Sequence, residues 1–489
     1  MFVEVLQNVL NPSSLLLILT GVVLGNIFGA IPGLNTPIAI ALVLPITMIM
    51  DPVPSVCILM GIYMGGVSGG LISAVLLATV FDGYPMAERG EGTRALTIGA
   101  FASFFGGIFS SVMLLILAPL LSKIALTFGP WEYFGASILA LSLVTVLAKG
   151  NMIKGCISLG IGLLACCVGQ SPIDGVAYRY SFGSMYLRNG FALVAVVIGV
   201  FALPEIINNA ARLKEIPVVN KVEKKFFHML DFQSIKKNIR TLLRSSVIGT
   251  VIGILPGLGG GPAALVSYAA AKKASKTPEE FGKGCEEGVF ASETANNATT
   301  GGALIPLLSL SVPGDTATAV MMGALVVQGI ALGPKLSIDQ PVLFRTIILA
   351  VFVANIFMFL YQASTLGLMA KILQVPKMYL MPYIAVFCIT GIFCLNSNAF
   401  DLYYTMGFLV LGYILDKNGY PIAPLILGMI LGKNVEENLR RAIVYYESFG
   451  KCVFRMSVGT VLFAIAVAVP VIVLVKEARR IQKEKMTRR

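Results

Sequence analysis

Gly29-Ala-Ile-Pro-Gly-Leu34 returns later in the chain as Gly253-Ile-Leu-Pro-Gly-Leu258, and each copy lies between two apolar stretches. Proline removes a backbone donor and glycine opens positive φ, so a helix stops at each copy. Gly69-Gly70 ahead of an aliphatic run is likewise matched by Gly301-Gly302. Two weakly similar halves, broken at matching positions inside hydrophobic sequence, form the pattern of a membrane carrier whose site lies at the breaks.

Composition agrees with a lipid solvent. The chain has 489 residues, of which 56% are hydrophobic and 13% charged, and its mean hydropathy is +0.84. A soluble protein carries roughly twice that charged share. Residues 1–12 contain no Lys or Arg, so the first apolar stretch, about 13–31, reads as a retained span rather than a cleaved signal. Eight cysteines are scattered without a C-x-x-C pair, which suits small core residues better than metal ligands.

The net charge of +12 is concentrated. Residues 205–244 hold nine Lys/Arg against four Asp/Glu, and 476–489 hold seven against two. Both flank apolar stretches, where positive-inside residues belong, so both are expected in the cytoplasm and nucleic acid is not an expected partner. The expected organisation is a first membrane repeat over 1–204, a basic linker over 205–244, a second repeat over 245–475 and a basic tail over 476–489. The turn Met50-Asp51-Pro52-Val53-Pro54 has no basic residue, whereas its second-half counterpart, 271–283, has four lysines. Opposite charge at equivalent turns predicts inverted topology. The stretch 245–258 would reach only about 21 Å as a helix, short of the ~30 Å hydrocarbon core, and so predicts a hairpin turning at Pro256-Gly257. The expected fold is all-α and polytopic: two inverted-topology repeats with broken helices and re-entrant hairpins, roughly 10–14 crossings in all.

Three segments carry candidate chemistry. At each break the following helix begins with free N–H groups, worth about half a positive charge, which suits an anionic substrate. Gly33, Asn35 and Thr36 supply these in the first half, and Gly257, Gly259 and Gly260 in the second. In Ala291–Thr300, Glu293, Asn296, Asn297 and Thr300 fall on one helix face; an intramembrane acid is a functional candidate by default. Pro313-Gly314 makes a further break, followed by Asp315, Thr316 and Thr318. Asp315 suits an N-cap there, with ion or substrate contact as the additional role. Gly61, Gly65 and Gly69 recur at every fourth position, which reads as close helix packing in lipid. Glu436-Glu-Asn-Leu-Arg-Arg441 reads as a polar cap at a membrane face. No catalytic triad, zinc motif or P-loop occurs, and His228 is the sole histidine, so hydrolytic chemistry and direct ATP drive lack their usual parts.

These same residues resemble the large membrane subunit of the tripartite tricarboxylate transporters, the TctA family. The matching stretches are GAIPGLNTPIAIALVLP (29–45), GIYMGGVSGGLISAVLL (61–77), DGYPMAERG (82–90), GILPGLGGGPAALVSY (253–268), FGKGCEEGVFASETANNATTGGALIPLLSLSVPG (281–314), GYPIAPLILGMILG (419–432) and EENLRR (436–441). The resemblance implies a secondary transporter subunit of the bacterial inner membrane, working with a small membrane subunit and an extracytoplasmic solute-binding protein that delivers a di- or tricarboxylate. It implies no cofactor and a coupling ion, H⁺ or Na⁺, for which Glu293 and Asp315 are the candidate positions. Two departures stand out. Leu76–Asp82 joins the first-half aliphatic run directly to DGYPM, where relatives carry a Pro-Gly loop, and Asp315 replaces a small polar residue. The substrate residues implied are Gly33, Asn35, Thr36, Gly257, Gly259, Gly260, Asn296, Asn297, Pro313, Gly314, Thr316 and Thr318. An integral membrane enzyme acting through Glu436 to Arg441, and a scaffold that has lost transport, are the alternatives.

Overall fold

A computed structural model of the chain describes residues 2–31, 34–76, 81–147, 152–171, 178–210, 231–372, 377–396 and 398–487. The described residues are almost entirely helical, with one two-residue strand pair, Gly169–Gln170 against Tyr178–Arg179. Four helices are long and apolar enough to cross a membrane: Pro12–Ala30, Pro52–Leu76, Gly92–Ala125 and the stretch Pro341–Met369. Shorter apolar helices accompany them, including Thr36–Met48 and Thr316–Val327. The chain is thus an all-α membrane protein. It divides into two compact units. One comprises Met1–Ser122, Ala202–Ile254 and Leu258–Asn398, and the other Lys123–Phe201, Leu255–Gly257 and Ala399–Arg489.

The first unit is built around a repeated three-helix arrangement. Its first copy is α1 (Pro12–Ala30), α2 (Thr36–Met48) and α3 (Pro52–Leu76). Asn11 starts α1, accepting from the Ser14 N–H at 2.7 Å, and Asn35 starts α2, accepting from the Ile38 N–H at 3.1 Å. Both are asparagine N-caps, each worth about 1 kcal/mol. Gly21, Gly25 and Gly29 of α1 lie directly against the backbone oxygens of Ile58, Ile62 and Gly66 of α3. A Cβ at any of the three would overlap those atoms. The reciprocal glycines, Gly61, Gly65 and Gly69, meet Ile18, Val22 and Asn26. The four-residue spacing of small residues is therefore a backbone-to-backbone seam. Because contact numbers rise together, α1 and α3 run parallel. The chain between them must return, and α2, about 20 Å long at 13 residues, makes that return.

The second copy, in the same order, is α4 (Phe232–Ile254), α5 (Gly260–Ala274) and α6 (Glu286–Leu310). Gly249 and Gly253 of α4 lie against the backbone oxygens of Ala295 and Thr299 of α6. Gly25 and Gly29 thus become Gly249 and Gly253, while Ile62 and Gly66 become Ala295 and Thr299. The helix α4 starts at Phe232, so the apolar stretch from 245 is the end of a 23-residue helix about 34 Å long rather than a separate segment of about 21 Å, because the polar stretch 232–244 continues the helix. Its Ser234 and Thr241 hydroxyls donate to Glu286 and Glu287 at 2.5 and 2.8 Å. Elsewhere in the 205–244 stretch, residues 211–230, with His228, lie outside the described residues.

Two further long helices cross-link the copies: α7 (Gly92–Ala125) and α8 (Pro341–Ile372). On α8, Asn355 donates to Met64 Sδ at 3.5 Å and Gln362 to the Ser68 carbonyl at 3.1 Å, so α8 runs parallel to α3. On α6, Asn297 donates to Ser103 Oγ at 2.7 Å and Gly301 lies against the Ser110 backbone, so α7 runs parallel to α6. On α7, Ser111 Oγ accepts from Asn355 at 3.2 Å and Phe104 stacks on Phe359 at 4.8 Å, so α7 and α8 are antiparallel. It follows that α3 and α6 point in opposite directions.

The second unit is held by its own aromatic cluster and ion pairs. Trp131 stacks on Phe134 at 5.1 Å and donates to Thr460 Oγ1 at 3.1 Å. Glu436 takes both Arg179 guanidinium nitrogens, at 2.7 and 3.1 Å, and also Arg440 at 3.0 Å, while Glu437 pairs with Arg441 at 2.5 Å. The stretch Glu436–Arg441 thus lies inside the helix Ile422–Tyr446, with its charged side chains paired to one another and to Arg179.

Candidate functional site

Three of the expected site residues, Thr36, Asn296 and Asp315, fall around one turn of α3. Thr36, the first residue of α2, is buried and presses its side chain onto Gly66. Three residues earlier, the Tyr63 hydroxyl donates to Asp315 Oδ2 at 2.7 Å. One residue later, the Val67 carbonyl is approached by Asn296 Nδ2 at 3.5 Å. Tyr63, Gly66 and Val67 share a helix face. That face therefore meets the start of the first-half short helix and two polar side chains of the second half.

The second-half break is arranged on the same spot. Gly257 and Gly259 adopt φ of +80° and +64°, conformations that disfavour any side chain, and let the chain reverse into α5. A Cβ on Gly259 would lie 3.6 Å from the Asp315 Cβ, and one on Gly260 would strike Asn296 Oδ1. Pro313 and Gly314 are buried, and Gly314 lies against Ala303 and the Gly253 carbonyl. Ser311 ends α6 in the left-handed region, φ +57°, from which the chain turns into α9 (Thr316–Val327).

Asp315 is the N-cap of α9. It accepts from the Thr318 N–H at 2.7 Å and hydroxyl at 2.8 Å, while its own N–H donates to Thr318 Oγ1 at 2.9 Å. Thr318 is consumed by this capping box, and Thr316 beside it is half-buried. The four residues expected on one face of α6 behave differently from one another. Asn296 faces the break and α3. Asn297 is buried in its bond to Ser103, and Thr300 donates back to the Asn297 carbonyl at 2.7 Å. Glu293 is buried at 5% exposure, and its Oε2 has no hydrogen-bond partner. Of the first-half expectations, Asn35 is exposed and capping, and Pro32-Gly33 lies outside the described residues.

Tyr63 was missed by sequence reasoning because it sits inside the glycine-rich packing run. Asp82 was missed too. Fully buried, it accepts the Gly282, Gly284 and Cys285 N–H groups at 2.8, 2.8 and 2.9 Å and the Tyr268 hydroxyl at 2.8 Å. Arg89 adds a bond to the Gly284 carbonyl at 2.8 Å, and Arg94 pairs with Glu286. The DGYPM segment of the first half thereby clamps the N-terminus of α6.

The family model described as the tripartite tricarboxylate transporter TctA family matches residues 15–427. The chain belongs to the TctA family. This family is a transporter component and not an enzyme. An uncharacterized 52.8 kDa protein in the TAR-I ttuC' 3' region of Agrobacterium vitis is 36% identical over 97% of this chain and 95% of its own length. A second uncharacterized protein, in the TAR-II ttuC' 3' region of the same organism, is 40% identical over 40% of this chain and 81% of its own length. No solved structure matches. The stretch 291–300 contributes the buried Glu293 and the half-buried Asn296.

Proposed function

We propose that this TctA-family chain moves a di- or tricarboxylate across the bacterial inner membrane, using an H⁺ or Na⁺ gradient. The substrate is delivered by an extracytoplasmic binding protein, and a small membrane subunit completes the system. The observation that carries the reading is the meeting of Thr36, Asn296 and the α5 and α9 N-termini at one turn of α3. Donors concentrated at helix starts and an amide suit a carboxylate. Gly259, Gly260, Pro313, Gly314 and Thr316 flank that point as further backbone or side-chain contacts, Asn35, Asn297 and Thr318 act as supports through their own bonds, and Gly33 and Gly257 are the glycines of the two sequence breaks. We also infer that the copies 12–76 and 232–310 form an inverted repeat. The opposite directions of α3 and α6, each paired with a parallel long helix, support this. On the charge distribution, the basic 205–244 stretch and the C-terminus face the cytoplasm.

Reconstitution of the chain with both partner subunits in proteoliposomes tests the reading. Carboxylate uptake that requires an imposed ion gradient and all three proteins is the expected result. One feature favours a non-transporting scaffold instead. Only residues 77–82 connect α3 to the helix Gly83–Glu88, too few for a counterpart of the 12-residue α9. Full assembly with no uptake of any carboxylate would decide for the scaffold.

A further inference from the structure

The two acids proposed near the coupling ion sit in opposite chemical situations. Asp315 is surrounded by donors: the Tyr63 hydroxyl, the Thr318 hydroxyl and the Thr318 N–H. Those bonds hold the carboxylate in one place and fix the start of α9. Glu293 is nine-tenths buried with no donor on Oε2. An ionised carboxylate so placed loses most of its hydration and has one oxygen without any donor, so the position favours a bound cation or a neutral acid.

The surroundings decide between the two. A hard metal cation gathers several oxygens, and in membrane carriers these come largely from unwound backbone. Glu293 lies seven residues inside the continuous helix Glu286–Leu310, where the carbonyls are committed to helix bonds. Nor does another charge compensate Glu293 from the elements packed on α6. Arg244 of α4 pairs with Glu287 at 4.0 Å, and Arg94 of α7 pairs with Glu286, both at the first turn of α6. Tyr268 of α5 is bonded to Asp82, and Tyr63 of α3 to Asp315. A proton needs one oxygen only.

We propose that Glu293 is a reversible proton-binding site, that the coupling ion is H⁺ carried there, and that Asp315 is a permanent helix cap outside the ion cycle. Protonation forms the neutral acid and removes the buried charge. Its loss restores a carboxylate one helical turn from Asn296, where its repulsion opposes an anionic substrate. Proton and carboxylate thus occupy the chain together. This rests on the transport reading for its coupling role, but the proton site is testable without transport.

The test is infrared difference spectroscopy of the purified chain in lipid, titrated upward from about pH 6, above the range of ordinary surface carboxylates. The wild type should give one carboxylic-acid C=O band that disappears as pH rises, whatever the Na⁺ concentration. Glu293→Gln should lack it, Glu293→Asp should shift its titration, and Asp315→Asn should retain it. Should Glu293→Gln fail to insert, the Glu293→Asp shift and the Asp315→Asn spectrum still decide the assignment. A band kept in Glu293→Gln, a band unshifted in Glu293→Asp, a band lost in Asp315→Asn, or a band removed by Na⁺ at constant pH overturns the proposal. Wild-type uptake driven by Na⁺ but not by a pH gradient overturns the coupling role. A normal titration without uptake of any carboxylate would count against the transport reading alone.

Discussion

The arrangement Pro12–Leu76 and the arrangement Phe232–Leu310 share a frame and differ in cargo. In both, a helix, a break, a short returning helix and a long parallel helix are locked by glycines against backbone oxygens four residues apart. With Ile62 and Gly66 standing opposite Ala295 and Thr299, Glu293, Asn296 and Asn297 occupy the positions of Met60, Tyr63 and Met64. The frame is repeated and the polar chemistry is not. Among the described residues, only the second half adds the capped helix Thr316–Val327, and of the two long helices only its own carries a buried acid. A glycine seam constrains backbone distance and leaves neighbouring side chains free to diverge, which explains how one architecture supports unequal halves.

The seam itself is the first place to break this comparison. Gly25→Leu and Gly249→Leu each drive a side chain into a facing backbone, at the upper end of the about 1–3 kcal/mol typical of overpacking. Both should abolish a monodisperse peak in detergent size-exclusion chromatography. Tolerance of one and not the other would show that the two seams are not equivalent.

Asp82 sharpens the comparison from the other side, since it ties the first half to the start of α6. Asp82→Ala leaves three N–H groups and a tyrosine hydroxyl without their acceptor, and hydrogen bonds to a charged group are worth about 1.5–3 kcal/mol each. A marked fall in Tm is expected, with Asp82→Asn in between. An unchanged Tm would mean that the clamp contributes nothing.

Much of this frame was legible in the sequence. The second-half Pro-Gly break, the four-residue glycine spacing and the apolar stretches each have a local physical cause, and each appears as a turn, a seam or a helix. Helix starts at Asn35 and Asp315 were legible for the same reason. What sequence could not give was which polar side chain faces which helix. Asn296 and Asn297 are neighbours of one residue type, yet one faces the break and the other bonds to Ser103. Tyr63 and Asp82 find their partners 252 and 186–203 residues away. No periodicity encodes such pairings. Ser234 and Thr241, bonded to Glu286 and Glu287, show how a polar stretch can continue a helix through partners that the sequence does not reveal.

A smaller effect is expected at Asp315. Asp315→Ala removes an N-cap and should cost about 1–2 kcal/mol, whereas Asp315→Asn keeps an acceptor and should lose a few tenths. Thermal unfolding in the same detergent compares them. Equal losses would show that the charge, and not the cap, is what matters there.

The central claim is that the binding chemistry lies mainly in the second half, at the turn of α3 where Asn296 and Thr36 meet. It is tested by the KM for the transported carboxylate in proteoliposomes containing both partner subunits. Losing one hydrogen bond to a charged substrate, about 1.5 kcal/mol, corresponds to roughly tenfold in affinity. Asn296→Leu should therefore raise KM about tenfold or more with normal membrane insertion, and Thr36→Val should raise it by less. A wild-type KM for Asn296→Leu, or a larger effect from Thr36→Val, would contradict the account.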